Sequence, residues 1–165
     1  MRTSTILLAE DDPNEVLLLQ RALVKASLTT DSLKVVSDGE DAMAYLSGQG
    51  IYADRGRYPL PALLLLDLKM PRKSGFEVLS WLRKQPQLRY LAAVVLSSSN
   101  NHHDVRLAYE LGANSYLMKP VEFLDLVEMI RNLGFYWLKM NENLPVSDPS
   151  TSSEVERKSN GVSLA

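Results

Sequence analysis

Apolar runs alternate with amphipathic stretches five times along this chain. STILLA (4–9) is a short continuous apolar run, and DDPNEVLLLQRALVKAS after it carries Val16, Leu19 and Leu23 at helical spacing. Asp12, Pro13 and Glu15 form a helix start: a cap, a proline at the first helical position and a capping-box acid. SLKVVSDG (32–39) predicts a second strand ending in a turn, and EDAMAYLSG a short helix. PALLLLD (61–67) predicts the third strand, with SGFEVLSWLRKQ (74–85) the helix behind it. AAVVLS (92–97) and SYLMKP (115–120) predict the fourth and fifth strands. They are followed by the helices HDVRLAYELGA, stopped by Gly112, and VEFLDLVEMIRNLGFYWLKM.

Near-continuous apolar strands separated by helices imply parallel strands buried on both faces. Right-handed crossovers then give a doubly wound α/β sheet. Residues 48–61, GQGIYADRGRYPLP, make a loop longer than most connections and read as an insertion. From Asn141 the chain is polar and serine-rich, so a domain over 1–140 with a disordered tail over 141–165 is expected.

Composition narrows the class. With 45% hydrophobic and 23% charged residues in 165, a core can form without covalent staples. Cysteine is absent, which excludes disulfides and thiolate metal sites and makes a reducing cytoplasm the expected compartment. The opening MRTSTILLAEDD is too short in apolar residues for a signal peptide, and no run approaches a membrane span. A net charge of −2 offers no basic field for nucleic acid, and the length leaves no room for a DNA-binding output domain.

Charge placement along the apolar runs is more informative. In doubly wound sheets, ligands bind beyond the carboxyl ends of the strands, where strand order reverses. The common five-stranded order is 2-1-3-4-5, which sets the reversal between strands one and three. Glu10 and Asp11 leave strand one, and Asp67 ends the four leucines of strand three. Ser97 and Lys119 arrive at the same edge from strands four and five. Clustered carboxylates raise one another's pKa unless something offsets them, and a hard dication such as Mg²⁺ is the usual remedy. With Lys119 as a point charge and Ser97 as a hydroxyl donor, the set suits phosphoryl transfer, Asp67 being the nucleophile that forms an acyl phosphate.

ILLAEDDPNE, LLLLDLKMPRKSG, VVLSS and YLMKP, in that order over roughly residues 4 to 133, resemble the receiver domain of two-component response regulators, a flavodoxin-like fold. The resemblance implies that Asp67 accepts a phosphoryl group from a phosphohistidine of a sensor histidine kinase. It implies that Asp11, Asp67 and the Lys69 backbone carbonyl ligate Mg²⁺, with Glu10 acting through water. Lys119 would contact the phosphoryl group, with a cis peptide before Pro120. Ser97 and Tyr116 would be the switch pair, signalling through the helix 4–strand 5–helix 5 face, and Lys69 and Ser99 would tune the phosphoryl lifetime. The insertion before PALLLLDL and the aromatic last helix are similar to stand-alone regulators paired with cyanobacterial phytochromes.

Other readings fit less well. A phosphatase of the haloacid-dehalogenase type needs an aspartate two residues after the nucleophile, where this chain has Lys69, so chemistry limited to self-phosphotransfer and autodephosphorylation is expected rather than enzymatic turnover. A flavin or nucleotide binder would need a glycine-rich first turn; AEDDPNE is acidic and lacks glycine. A receiver fold that no longer titrates is opposed by the intact acidic pair, Asp67, Ser97 and Lys119. Asp12 reads as a cap, Gly39 and Gly75 as turn and helix-entry residues, and His102-His103 as surface residues facing apart. Beyond Gly134, FYWLKM finds no obvious partner inside the domain, which predicts a homodimer through the C-terminal helix.

Overall fold

The computed structural model describes residues 5–144 and 146–149. Five strands, β1 (Ile6–Ala9), β2 (Leu33–Val36), β3 (Leu63–Leu66), β4 (Ala92–Ser97) and β5 (Ser115–Met118), pair in parallel in the order β2-β1-β3-β4-β5. Between and after them lie α1 (Pro13–Lys25), α2 (Gly39–Ser47), α3 (Gly75–Lys84), α4 (His102–Glu110) and α5 (Phe123–Gly134). All ten expected elements form, with ends trimmed by one to a few residues.

Alternation along the strands sorts the core into two halves. Leu7, Ala9, Leu64, Leu66, Ala93 and Val95 point to the α2, α3 and α4 side, against Tyr45, Leu46, Val78 and Leu82. Ile6, Leu8, Leu63, Leu65, Val94 and Leu96 point to the other, against Leu19, Leu23, Val127 and Ile130 of α1 and α5. The four leucines of β3 are apolar on both faces because the central strand is covered on both. Each such leucine is held by roughly 1.5–3 kcal/mol of burial.

Local chemistry sets the helix starts. Asp12 caps α1, its carboxylate accepting the Asn14 N–H at 2.9 Å. Glu15 does not complete a capping box: the Asp12 N–H donates to Glu10 Oε1 at 3.1 Å, and Glu15 turns toward Lys119, 3.8 Å away. The full capping box belongs to α3, where Ser74 and Glu77 satisfy each other's backbone N–H groups.

The expected insertion is ordered around aromatic contacts. A short 3-10 turn (Gly50–Ala53) precedes Tyr58, and Tyr45, Tyr52 and Tyr58 meet in tilted and edge-to-face contacts with ring centroids 4.9 to 6.0 Å apart. Arg55 lies beneath them, donating to the Tyr45, Leu46 and Tyr58 carbonyls. It also pairs with Asp148 at 3.0 Å, so the chain after α5 returns to the α2 side, where Val146 joins the core. Within the span expected to be a disordered tail, Val146 and Asp148 make these contacts; residues 145 and 150–165 lie outside the described set.

After α5 the chain widens into a π-helical segment, Phe135–Met140. Contrary to expectation, part of it has a partner inside the domain. Trp137 and Leu138 pack on the α1–α5 half of the core, because the wider turn swings them inward. Phe135, Tyr136 and Met140 remain more than half exposed. No described helix is long and apolar enough to cross a membrane.

Candidate phosphoacceptor and metal site

The site lies at the carboxyl ends of β1, β3, β4 and β5, on both sides of the point where strand order reverses. Strand pairing continues one step past β1 and β3: the Glu10 N–H donates to Val36 O and the Asp67 N–H to Ala9 O. These ladder bonds bring Glu10, Asp11 and Asp67 together, with one carboxylate oxygen from each inside a 4.8 Å cluster. Glu10 is buried, Asp67 half-buried and Asp11 exposed, so the cluster opens to solvent on one side.

Lys119 closes the other side. It follows β5, where its N–H donates to the Ser97 carbonyl at 2.8 Å. Its ammonium donates to Glu10 Oε2 at 2.7 Å and lies 3.5 Å from Asp67 Oδ2. Burial pushes the Lys119 ammonium down, but the Glu10 hydrogen bond and the charges of Asp67, Glu10 and Glu15 outweigh it and hold its pKa above the ordinary lysine value. Glu10 moves up: burial disfavours its charge and Asp67 repels it, by more than Lys119 and the Asp12 N–H return.

Asp67 is held by its own turn. Its Oδ1 accepts the Leu68 N–H at 2.7 Å, which leaves Oδ2 toward Lys119. Gly75 is more than a helix-entry residue. A Cβ there would strike the Asp67 carbonyl and come within 2.9 Å of Leu68 Cα, so glycine lets α3 start directly against the Asp67 backbone.

Ser97 is buried at the end of β4, and its hydroxyl accepts the Ser99 N–H at 3.1 Å. Tyr116 packs on the α2–α3–α4 half of the core and donates its hydroxyl to the Ser99 carbonyl at 2.7 Å. Ser99 Oγ in turn donates to Asp104 in the first turn of α4. Lys69 sits exposed in the loop after β3. The cis peptide expected before Pro120 is absent: that bond is trans, the form an X–Pro amide ordinarily favours.

The sequence reading missed two features. Glu15 joins the charged cluster, a placement masked by its fitness as a helix-start acid. A pocket of about 290 Å³ also opens over Asp67 and Lys119, walled by Leu18, Leu126, Pro120 and Val121. Exposed apolar residues on α1 and after β5 were its only signal.

An all-oxygen cluster of three carboxylates suits a hard divalent cation, and the absence of cysteine removes softer alternatives. Asp11 and Asp67 would hold such an ion, with Glu10 behind them.

The profile of the response regulator receiver domain matches residues 6–131. The chain is 40% identical over 134 residues to response regulator Rcp1 of Synechocystis, covering 81% of this chain and 88% of Rcp1. The Mn²⁺-bound form of Rcp1 superposes with a TM-score of 0.73 at 37% identity, covering 85% of this chain and 98% of that one. Response regulator RPA3017, in red light signaling of R. palustris, gives a TM-score of 0.80 at 39% identity, over 85% of this chain and 97% of its own. The phosphorylated cyanobacterial phytochrome response regulator RcpA gives 0.75 at 35% identity, over 84% and 96%. With its strand order, its acidic cluster and a family match across most of its length, this chain belongs to the receiver-domain family of two-component response regulators.

Proposed function

We propose that Asp67 is the phosphoacceptor and that Glu10, Asp11 and Asp67, with the Lys69 carbonyl, serve a Mg²⁺ ion. The observation that carries this reading is one carboxylate oxygen each from Glu10, Asp11 and Asp67 inside 4.8 Å, with Lys119 Nζ 3.5 Å from Asp67 Oδ2. Bound Mg²⁺ would supply charge neutralisation between the attacking carboxylate and the phosphoryl oxygens. The side chains do the rest. Asp67 Oδ2 forms the new P–O bond while the P–N bond to the donor imidazole breaks, and that nitrogen keeps the electron pair. Lys119 balances the charge on a phosphoryl oxygen, and Ser97 contributes a hydroxyl donor once it rotates away from the Ser99 N–H.

The donor is a sensor histidine kinase, and the relatives named for red light signaling and for a cyanobacterial phytochrome favour a phytochrome. Output passes through Ser97 and Tyr116 to α4, because the Tyr116 hydroxyl and Asp104 both fasten on Ser99. A second copy of the chain meets the exposed Phe135, Tyr136 and Met140. The protein works in the cytoplasm, and its chemistry is limited to taking and slowly hydrolysing one phosphoryl group.

Incubation with Mg²⁺ and acetyl phosphate is expected to give a base-labile mass adduct of one phosphoryl group. No adduct on the wild type, or one that survives in Asp67→Asn, overturns the assignment. Light scattering on the wild type and on Phe135→Asp tests the dimer. A wild-type monomer mass at every concentration, phosphorylated or not, removes it.

A further inference from the structure

The loop that carries the chemistry, residues 67–74, is anchored at its start by Asp67 and Leu68, in the middle by Met70 on the core, and at its end by Arg72 and Lys73. At its start, Gly75 packs on Asp67 and Leu68, and the Gly75 N–H donates to Leu68 O at 2.9 Å. At its end, Arg72 reaches across to the start of α2. Its Nε and Nη2 both donate to Asp38 Oδ2, at 2.9 and 2.6 Å. Between them Met70 packs on the core, while Lys69 and Pro71 are exposed.

We propose that Asp38 and Arg72 form a clamp that sets the conformation of the phosphoacceptor loop, making both of them positioning residues for the Lys69 carbonyl and the Asp67 carboxylate. This deepens the function proposed above and rests on it for the role of Lys69.

Four observations support the clamp. First, Arg72 has φ +64°, a left-handed conformation unfavourable for a side chain with a Cβ; among the described residues only Ser27 shares it outside glycine. The Lys73 N–H closes a tight turn around it by donating to the Pro71 carbonyl at 2.8 Å, and the Arg72 side chain adds two bonds to Asp38, with Glu40 3.9 Å away. Second, the Asp38 side chain is 3% exposed while that of Arg72 is 66% exposed. The buried carboxylate has no solvent to fall back on, whereas the arginine adds little to core packing, so the contact is directional. Third, Asp38 is already committed on its other oxygen, where Oδ1 accepts the Asp41 N–H at 2.7 Å as the cap of α2. The anchor is therefore rigid before the arginine arrives. Fourth, a Cβ on Gly39 would collide with the Lys73 carbonyl and lie 2.7 Å from the Lys73 carbonyl carbon. Gly39 is thus no mere turn residue: the start of α2 and the end of the loop are in backbone contact beside the ion pair.

The alternative role for Asp38 and Arg72 is local stability alone, and one substitution separates the two. Arg72→Gly removes the clamp while giving the left-handed position to the residue that suits it best. Its melting temperature is expected to stay near that of the wild type. Amide hydrogen exchange at residues 68–75 of the metal-free protein is expected to rise about tenfold. Mg²⁺ affinity, measured calorimetrically, is expected to fall about tenfold, in line with losses seen when a group supporting metal ligands is removed. Arg72→Lys, which keeps the charge but not the fork, is expected to fall between. Asp38→Asn should reproduce the loop exchange wherever it folds, but Arg72→Gly carries the test because its side chain is exposed. Wild-type loop exchange and Mg²⁺ affinity in Arg72→Gly overturn the clamp, even if acetyl phosphate labels Asp67 normally. If the wild type takes no phosphoryl group, the phosphoacceptor reading falls instead, and loop exchange in metal-free protein still decides the clamp.

Discussion

The Lys119 ammonium sits 2.7 Å from Glu10 Oε2, nearer than its 3.5 Å to Asp67 Oδ2. The site's lysine is therefore engaged first by a buried acid other than Asp67, the proposed phosphoacceptor. The pair compensates a buried carboxylate whose other oxygen accepts the Asp12 N–H, and it keeps the ammonium within 3.5 Å of Asp67.

Lys119→Met should accordingly lose stability as well as chemistry. It leaves Glu10, with its side chain 5% exposed, without its partner, a change that costs about 3 kcal/mol in buried pairs. Urea denaturation in metal-free buffer measures that loss. Adding Glu10→Gln should recover most of it, and phosphorylation should stay low in both variants.

Acid sensitivity should trace in part to Asp38. Burial raises its pKa, but the backbone N–H groups of Asp41 and Glu40 and the Arg72 guanidinium overcome this and hold it below the usual 3.8. A carboxyl lowered on folding contributes stability that is fully present above its unfolded value and lost as pH falls through the folded one. The contribution should therefore be intact at neutral pH and fade below about pH 4. Asp38→Asn should be less stable at neutral pH, and its stability should fall less steeply with acid than that of the wild type in denaturation series.

Arg83 should be the most sensitive polar residue away from the site. Its guanidinium donates to the carbonyls of Gly112, Arg89 and Leu91 and to Asn114 Oδ1, at 2.7 to 3.0 Å. It thereby ties the end of α3 to the turns before β4 and β5. Arg83→Met leaves several of these acceptors unpaired and should cost roughly 2–4 kcal/mol. Arg83→Lys should recover little, because three donors at one point cannot replace a planar fork. Chemical denaturation of both variants checks the ranking.

Tyr116→Phe removes one hydrogen bond, from the Tyr116 hydroxyl to Ser99 O at 2.7 Å. Stability should fall by about 1 kcal/mol. Labelling by acetyl phosphate should stay within about twofold, less than the effect of one full hydrogen bond in a transition state. The phosphorylation-induced amide shifts in α4 and β5 should shrink, as nuclear magnetic resonance would show. Unchanged shifts would separate Tyr116 from the output.

Much of this was legible along the chain. The apolar runs predict all five strands because a central parallel strand must be apolar on both faces, as Leu63–Leu66 is. Acids at the ends of β1 and β3, and Lys119 after β5, follow from strand direction alone. The capping box, expected at Asp12 and Glu15, forms instead at Ser74 and Glu77, because both starts carry an acid three residues after a cap. Glu15 was misread because one residue type serves two purposes: an acid in a first turn suits the helix whether or not it also faces a lysine.

Sequence by itself determined the alternation of strand and helix, the parallel sheet, and which charged groups stand at its functional edge. Those features depend on short-range periodicity and on the direction of each strand. Only the tertiary structure decided that Arg72 reaches Asp38 34 positions away, that Arg55 meets Asp148 across 93, and that Trp137 turns inward while Phe135 does not. Contacts of that kind are set by helix packing against the sheet and by which backbones glycine allows to touch, and no local pattern encodes either.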